Sequence, residues 1–317
     1  MLGEKMRSRL AFLVKLSVGL SLITFIFSKI EWQSFINTVL RINPVFVIIP
    51  MIMFFFPGVW VSVLKWKRLL VAHNISLPFS KLYFYYLIGT FFNNFLPTSV
   101  GGDVSRIYYL SGVTNRPAEI TSSIFMERLT GVMALFLLST CFLGANISFA
   151  FTHPTFLYME SFFLVAFVCL FLLIYYSDRL FTRRSSQSTF YHFLGSKVIK
   201  LVEAIGEYRD NKKLLSEALF LSIGFVLVGV CSTYLYFLSI GITIPLSKLV
   251  LIYCLIQLLG LIPISINSLG INEGAFMLLF GALGIKPVDA LTVALLGRAI
   301  LMLASLGGGI AFIFTKT

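Results

Sequence analysis

Two pairs of an acid and an arginine stand inside the apolar body of this 317-residue chain. Asp103 precedes Arg128 by 25 residues, and Glu273 precedes Arg298 by the same 25. Around the first acid the chain reads FFNNFLPTSVGGDVSRIYYL from Phe91 to Leu110, then MERLTG from Met126. Around the second it reads LIPISINSLGINEGAF from Leu261 to Phe276, then GRAI from Gly297. A guanidinium offers a planar fork of donors that matches phosphate oxygens two at a time, so these arginines suit an anionic headgroup. The acids would set the fork's geometry or exchange a proton. The plainer reading is that Glu127 or Asp103 pairs with Arg128, and Glu273 with Arg298, pinning helices together.

Depth favours a functional reading. At ~1.5 Å per helical residue, Glu127 and Arg128 lie about 12 Å into an apolar run that starts near Glu119, and Arg298 about 15 Å into one that starts near Val288. Both depths approach the middle of a hydrocarbon layer ~30 Å thick. A charge there costs at least about 2.5 to 3.5 kcal/mol on insertion scales, so it faces a partner or a watery cavity. Gly101 and Gly102 give backbone freedom at an expected helix start, where free amides attract phosphate. Asp103 also suits an ordinary N-cap with Arg106 as its i+3 partner. Asn93 and Asn94 interrupt an aromatic run and need hydrogen-bond partners, either by lining the same cavity or by bridging helices.

The elements that must position these residues are membrane helices. The chain is 58% hydrophobic and 12% charged, with a mean hydropathy of +0.94, which excludes an ordinary soluble domain. Residues 10–28, 44–64, 119–143, 156–176, 218–240 and 288–315 form apolar runs long enough to span. Segments 79–97 and 246–263 are apolar too, but each runs into Pro and then a polar, glycine-containing stretch. Lys5, Arg7 and Arg9 precede the first run, Lys65, Lys67 and Arg68 follow the second, and a basic stretch lies between Asp178 and Lys213. The positive-inside rule places all three in the cytoplasm. An even number of crossings must then separate Arg68 from Asp178, and the runs 119–143 and 156–176 already supply two. Segment 79–97 is therefore expected to be re-entrant, broken at Pro97, with its counterpart at Pro263 and Gly270 approaching from the opposite side.

This parity predicts an all-α polytopic membrane protein of about six full spans plus two Pro/Gly-broken re-entrant segments, arranged as two inverted halves. The expected organisation is one transmembrane unit over residues 1–317. Its first half is 1–176, its second is 214–317, and a cytoplasmic basic loop over 177–213 joins them. Within that loop Leu194, Val198, Leu201, Val202 and Ile205 oppose Lys197, Lys200, Glu203 and Glu207. The pattern predicts an amphipathic helix that lies on the inner leaflet or packs beneath the bundle.

Other chemistries find little support. Twenty-five Lys and Arg against 13 Asp and Glu give +12, which in a membrane protein reflects loop charges and not nucleic-acid binding. The four cysteines sit in apolar runs and the three histidines have no ligand spacing, so no metal or cofactor is expected. No GxxxxGK[ST] occurs, which argues against direct ATP use.

The string NNFLPTSVGGDVSR, followed by MERLTG and by the LGINEG stretch, resembles the transmembrane region of the lysylphosphatidylglycerol synthase/flippase family. The resemblance covers nearly the whole chain. It departs in the second motif, where members commonly carry Gly-Gly before the acid and this chain has Asn267-Ser268-Leu269-Gly270. The resemblance implies a lipid flippase that moves an anionic phospholipid or a polyprenyl-phosphate-linked lipid. Asn93, Asn94, Gly101, Gly102, Asp103, Arg106, Glu127, Arg128, Glu273 and Arg298 are the candidate substrate-binding positions. The expected residence is a bacterial inner membrane, with the N-terminus cytoplasmic on the charge count, as a homo-oligomer or beside a separately encoded lipid-modifying enzyme. The soluble acyltransferase-type domain of aminoacylating members has no counterpart here, so synthesis of lysylphosphatidylglycerol is not expected. The rival readings are a membrane-embedded glycosyl- or acyltransferase and a structural partner of a lipid synthase.

Overall fold

The computed structural model describes the backbone of residues 2–28, 30–96, 100–182, 208 and 211–315, and the side chains of these outside residues 2–12 and 170–182. Every regular element among them is helical. In chain order they are α1 (Leu2–Ser28), α2 (Trp32–Leu40), α3 (Val45–Met53), α4 (Trp60–Val71), α5 (Phe79–Phe95), α6 (Gly101–Thr114), α7 (Pro117–Ala145), α8 (Ile147–Thr152), α9 (Thr155–Thr182), α10 (Lys212–Ser239), α11 (Leu246–Gly260), α12 (Ile271–Gly281) and α13 (Pro287–Phe314). The expected break at Pro97 and the expected amphipathic helix over 194–207 lie outside the described residues.

Four stretches are long and apolar enough to cross a membrane: Val45–Val71, Pro117–Ala145, Lys212–Ser239 and Pro287–Phe314. A fifth is added if Leu13–Ser28 and Trp32–Leu40, which meet at a 91° bend, count as one. The first of the four joins α3 to α4 through a widened helical segment, Phe54–Val59, in which Phe56 leaves helical backbone angles. Pro57 lies inside that segment and has no N–H to donate to the ladder. Outward-facing side chains such as Phe151, Tyr158, Phe220, Leu278 and Ile313 are at least 64% exposed. This suits a hydrocarbon solvent and would be untenable in water over so large an area.

Segment 79–97 becomes one arm of a helical hairpin. Gly102 N–H donates to Asn93 Oδ1 at 2.8 Å, and the rings of Tyr85 and Tyr109 stack at 5.4 Å, so α5 and α6 run antiparallel. With 17 and 14 residues they reach only about 25 and 21 Å, short of the ~30 Å a full span needs. The arms touch backbone to backbone, and a Cβ at Gly102 would collide with the Gly89 carbonyl oxygen. Gly102→Ala is therefore expected to cost about 1–3 kcal/mol of stability, read as a lower melting temperature in detergent.

The second hairpin is shorter. Helices α11 and α12 have 15 and 11 residues, and the stretch between them is held by Ser268 Oγ donating to Gly260 O at 2.7 Å. Asn267, Ser268 and Gly270 there all adopt left-handed backbone angles. At Gly270 (φ 82°) a Cβ would lie 2.5 Å from Leu22 Cβ, so glycine is required twice over.

The two hairpins follow one register. Helices α6 and α12 begin 170 residues apart, and so do α7 and α13, each of which opens on Pro and carries an acid at its third position (Glu119, Asp289). Upstream the offset is 167. Pro78-Phe79-Ser80-Lys81-Leu82 matches Pro245-Leu246-Ser247-Lys248-Leu249, and Asn74 (φ 54°) matches Gly241 (φ 79°) in the turn before each hairpin. Asparagine tolerates this left-handed turn and β-branched residues do not. Gly241→Asn should leave the melting temperature nearly unchanged, whereas Gly241→Val should cost about 1–2 kcal/mol.

The unit α3–α4 runs antiparallel to α10. Asn43 N–H donates to Ser239 O at 2.9 Å at one end, and Arg68 lies 3.8 Å from Glu217 at the other. The chain therefore leaves α4 for the first hairpin at the end where α10 begins, and leaves α10 for the second hairpin at the end where α3 begins. The two hairpins meet through α13, which crosses α5 so closely that a Cβ at Gly308 would overlap the Leu87 carbonyl.

Candidate functional site

The first acid and arginine pair is part of a larger buried network. Asp103 is the third residue of α6, one turn before Arg106, and the two form an ion pair of 2.7 Å. Its other oxygen accepts from Arg128 Nε on α7 at 2.6 Å. Arg106 Nη1 reaches across to Glu127 Oε2 at 2.7 Å, and Tyr86 Oη donates to Glu127 Oε1 at 2.9 Å. The Arg106 guanidinium lies over the rings of Trp66 and Tyr86, with centroids 5.0 and 4.6 Å away. A delocalised, weakly hydrated cation fits such an aromatic slot better than an ammonium would.

Lys65 belongs to the same cluster, which corrects its reading as a loop charge. Helix α4 continues to Val71 and carries Lys65 into the bundle, where it is 5% exposed. Its Nζ donates to the Glu127 carbonyl oxygen at 3.2 Å and to Ser222 Oγ on α10 at 3.1 Å. Trp66 is held by its Nε1–H donating to Ser123 Oγ at 3.1 Å. Glu160 is a further buried acid; its Oε1 accepts from Thr140 and Ser139 at 2.6 and 3.1 Å. Sequence reasoning missed Lys65, Trp66, Tyr86 and Glu160. The available signal for Lys65 was its register with Ser62, Trp66 and Leu69 on one face of α4.

The second pair is simpler and opens on space. Glu273 is the third residue of α12 and 1% exposed; one oxygen accepts the Gly270 N–H at 2.7 Å, which closes the first turn of the helix. The other accepts Arg298 Nε at 2.7 Å. Arg298 Nη1 donates to the Asn267 carbonyl oxygen at 3.2 Å. Clamped at these two points, the guanidinium keeps its Nη2 donors free of protein partners among the described residues. The side chain is 21% exposed and borders a cavity of about 570 Å³.

That cavity lies between the two hairpins. Asn93, Asn94 and Thr90 on α5 face Gln257 on α11, Asn272 on α12 and Arg298 on α13. Of the residues singled out from sequence, Asn93, Asn94 and Arg298 border it. Gly101, Gly102, Asp103, Arg106, Glu127 and Arg128 are absent from its wall, and Glu273 sits behind Arg298. Two residues join network and cavity: Tyr86, bonded to Glu127 while bordering the space, and Asn93, whose side chain holds the Gly102 amide. Arg128, 48% exposed at its side chain, lies at the other end of the network. Among the described residues no three His, Cys, Asp or Glu side chains converge as a metal site would require.

Long apolar helices, two sub-span hairpins and charges buried at mid-helix define a polytopic integral membrane protein with a polar interior. The chain belongs to the family described as the lysylphosphatidylglycerol synthase TM region, which it matches over residues 12–308. It is similar to a UPF0104 membrane protein of Methanocaldococcus jannaschii, at 25% identity over 96% of this chain and 94% of the relative. A UPF0104 membrane protein of Methanothermobacter thermautotrophicus is also 25% identical, over 74% of this chain and 73% of the relative. No solved structure matches the chain.

Proposed function

We propose that the protein translocates a lipid with an anionic headgroup across the cytoplasmic membrane. The headgroup enters the cavity between the hairpins while the acyl or prenyl chains stay in the bilayer. The observation that carries this reading is Arg298, a guanidinium oriented by a buried carboxylate with donors left over on a cavity wall. Glu273 acts as a positioning residue, and the first network stiffens the opposite wall through Tyr86 and Asn93. The family name associates relatives with a phospholipid, in keeping with such a substrate.

In this reading the chain has six spans and two re-entrant hairpins forming two inverted halves, with the N-terminus cytoplasmic beside Lys5, Arg7 and Arg9. The offsets of 167 and 170 residues and the antiparallel course of α4 and α10 support it. Inverted copies with broken helices at their junction are the arrangement by which rocking exposes one site to either side. A transferase reading is less well supported, because Asp103, Glu127 and Glu273 are each held by a guanidinium and none is free to act as a base.

The test uses the full chain in proteoliposomes containing acyl-labelled fluorescent phosphatidylglycerol, with access of an external quencher reporting transbilayer movement. Native protein should speed movement over protein-free vesicles, and Arg298→Gln should abolish the gain. Native vesicles no faster than empty ones would overturn the proposal.

A further inference from the structure

The lining of the cavity says which anionic headgroups it can hold, provided the translocation reading stands. Arg298 is the one charged residue among the described residues that border it. The other polar groups are neutral. Among the described residues, the side-chain amides of Gln257, Asn267 and Asn272 border the space with no hydrogen-bond partner, and Asn94 uses only its Nδ2, donating to Thr90 O at 3.1 Å. Tyr236 and Tyr253 add phenols to the same wall.

We infer that the cavity selects a lipid whose headgroup is a single phosphodiester carrying an uncharged, hydroxylated substituent such as a polyol or sugar. One guanidinium neutralises one phosphodiester charge. A phosphomonoester brings a second negative charge with no second cation to meet it. An ammonium, as in an ethanolamine or aminoacyl headgroup, meets no carboxylate, since Glu273 is buried and already shared between Arg298 and the Gly270 amide. Unpaired charge in a membrane cavity is heavily penalised. Carboxamides and phenols both donate and accept, so they suit hydroxyls, which do the same. A site built to bond hydroxyls also disfavours an analogue that lacks them, because its own polar groups are then left unpaired.

The experiment compares initial rates for acyl-labelled phosphatidylglycerol, phosphatidylinositol, phosphatidylethanol, phosphatidic acid, phosphatidylethanolamine and lysylphosphatidylglycerol in otherwise identical proteoliposomes of the full chain. Phosphatidylglycerol and phosphatidylinositol should move fastest, with each of the other four slower by roughly tenfold or more. Phosphatidylethanol isolates the hydroxyl contribution, since it keeps the phosphodiester and loses the hydroxyls. In the double variant Gln257→Leu/Asn272→Leu, the ratio of phosphatidylglycerol to phosphatidylethanol rates should fall toward one. Phosphatidic acid or lysylphosphatidylglycerol moving as fast as phosphatidylglycerol would overturn this selectivity while leaving translocation standing. An unchanged ratio in the double variant would overturn the role of the amides. Movement of none of the six would instead remove the translocation reading on which the inference rests.

Discussion

Arg106→Met should be the most damaging single change in the first half of the chain, abolishing recovery of folded protein or lowering its melting temperature far more than any other replacement in the network. Arg106 joins two carboxylates, Asp103 and Glu127, at 2.7 Å each, and its side chain is 6% exposed. Removing one partner of a buried ion pair costs about 3–5 kcal/mol, because the remaining charge is left without water or counter-ion. Here two acids lose a partner together. Lys65 approaches the Glu127 backbone and not its carboxylate, so it offers only partial compensation. Whole-domain stabilities are about 5–15 kcal/mol, so a loss of this size is a large fraction of the total.

The comparison that makes the argument specific is Arg128→Met. Arg128 pairs with the same Asp103, but its side chain is 48% exposed. Asp103 keeps its bond to Arg106 when Arg128 is lost, so no buried acid is left unpaired and a smaller effect is expected. Thermal unfolding of the two variants in the same detergent should separate them widely. The triple variant Asp103→Asn/Arg106→Met/Glu127→Gln should recover much of the loss, since it removes the charges together. If Arg106→Met melts with Arg128→Met, the network is not the strut described here.

Arg298→Lys should leave the fold standing and stop translocation. A lysine keeps the positive charge beside Glu273, which would otherwise be a buried anion without a partner, so the melting temperature should fall by only a few degrees. An ammonium cannot bond Glu273 and the Asn267 carbonyl while offering two coplanar donors to a phosphate, as the guanidinium does. Losing one partner of a desolvated, hydrogen-bonded charge pair costs about 2–5 kcal/mol, and each 1.4 kcal/mol is tenfold. The rate of phosphatidylglycerol movement should therefore fall by roughly two orders of magnitude. A lysine variant that keeps the native rate would show that simple positive charge suffices and that the fork of donors has no role.

The membrane class, the two hairpins and the partners of both acids were legible in the sequence. Apolar runs report span length directly, and the Pro97 break after segment 79–97, with Gly101-Gly102 just beyond, pointed to a turn there. The 25-residue spacing also carried real information. It places Asp103 and Glu273 at the third position of a short helix, and Arg128 and Arg298 at matching depths in the long helix that follows. The match of Pro78-Phe79-Ser80-Lys81 with Pro245-Leu246-Ser247-Lys248 was equally visible, but it bears no charge pair that would draw attention to it.

The sequence by itself thus marked Asp103, Arg106, Glu127, Arg128, Glu273 and Arg298 among the charges inside the apolar body, and showed that Asp103 and Glu273 each have an arginine within reach. Tertiary structure decided the rest. It gave Glu127 to Arg106 and not to its neighbour Arg128, enclosed Lys65, and set Arg106 between Trp66 and Tyr86. It also put Arg298 on the cavity while leaving Arg128 off its wall, although each is the twelfth residue of its helix. The physical reason is that these helices are apolar nearly all round, so periodicity marks no face as inward. Which side of α7 or α13 meets a partner, the cavity or lipid is set by how closely the helices cross. That depends on close backbone approaches such as Gly89 against Gly102 inside the first hairpin and Gly308 against Leu87, the latter between residues far apart in the chain.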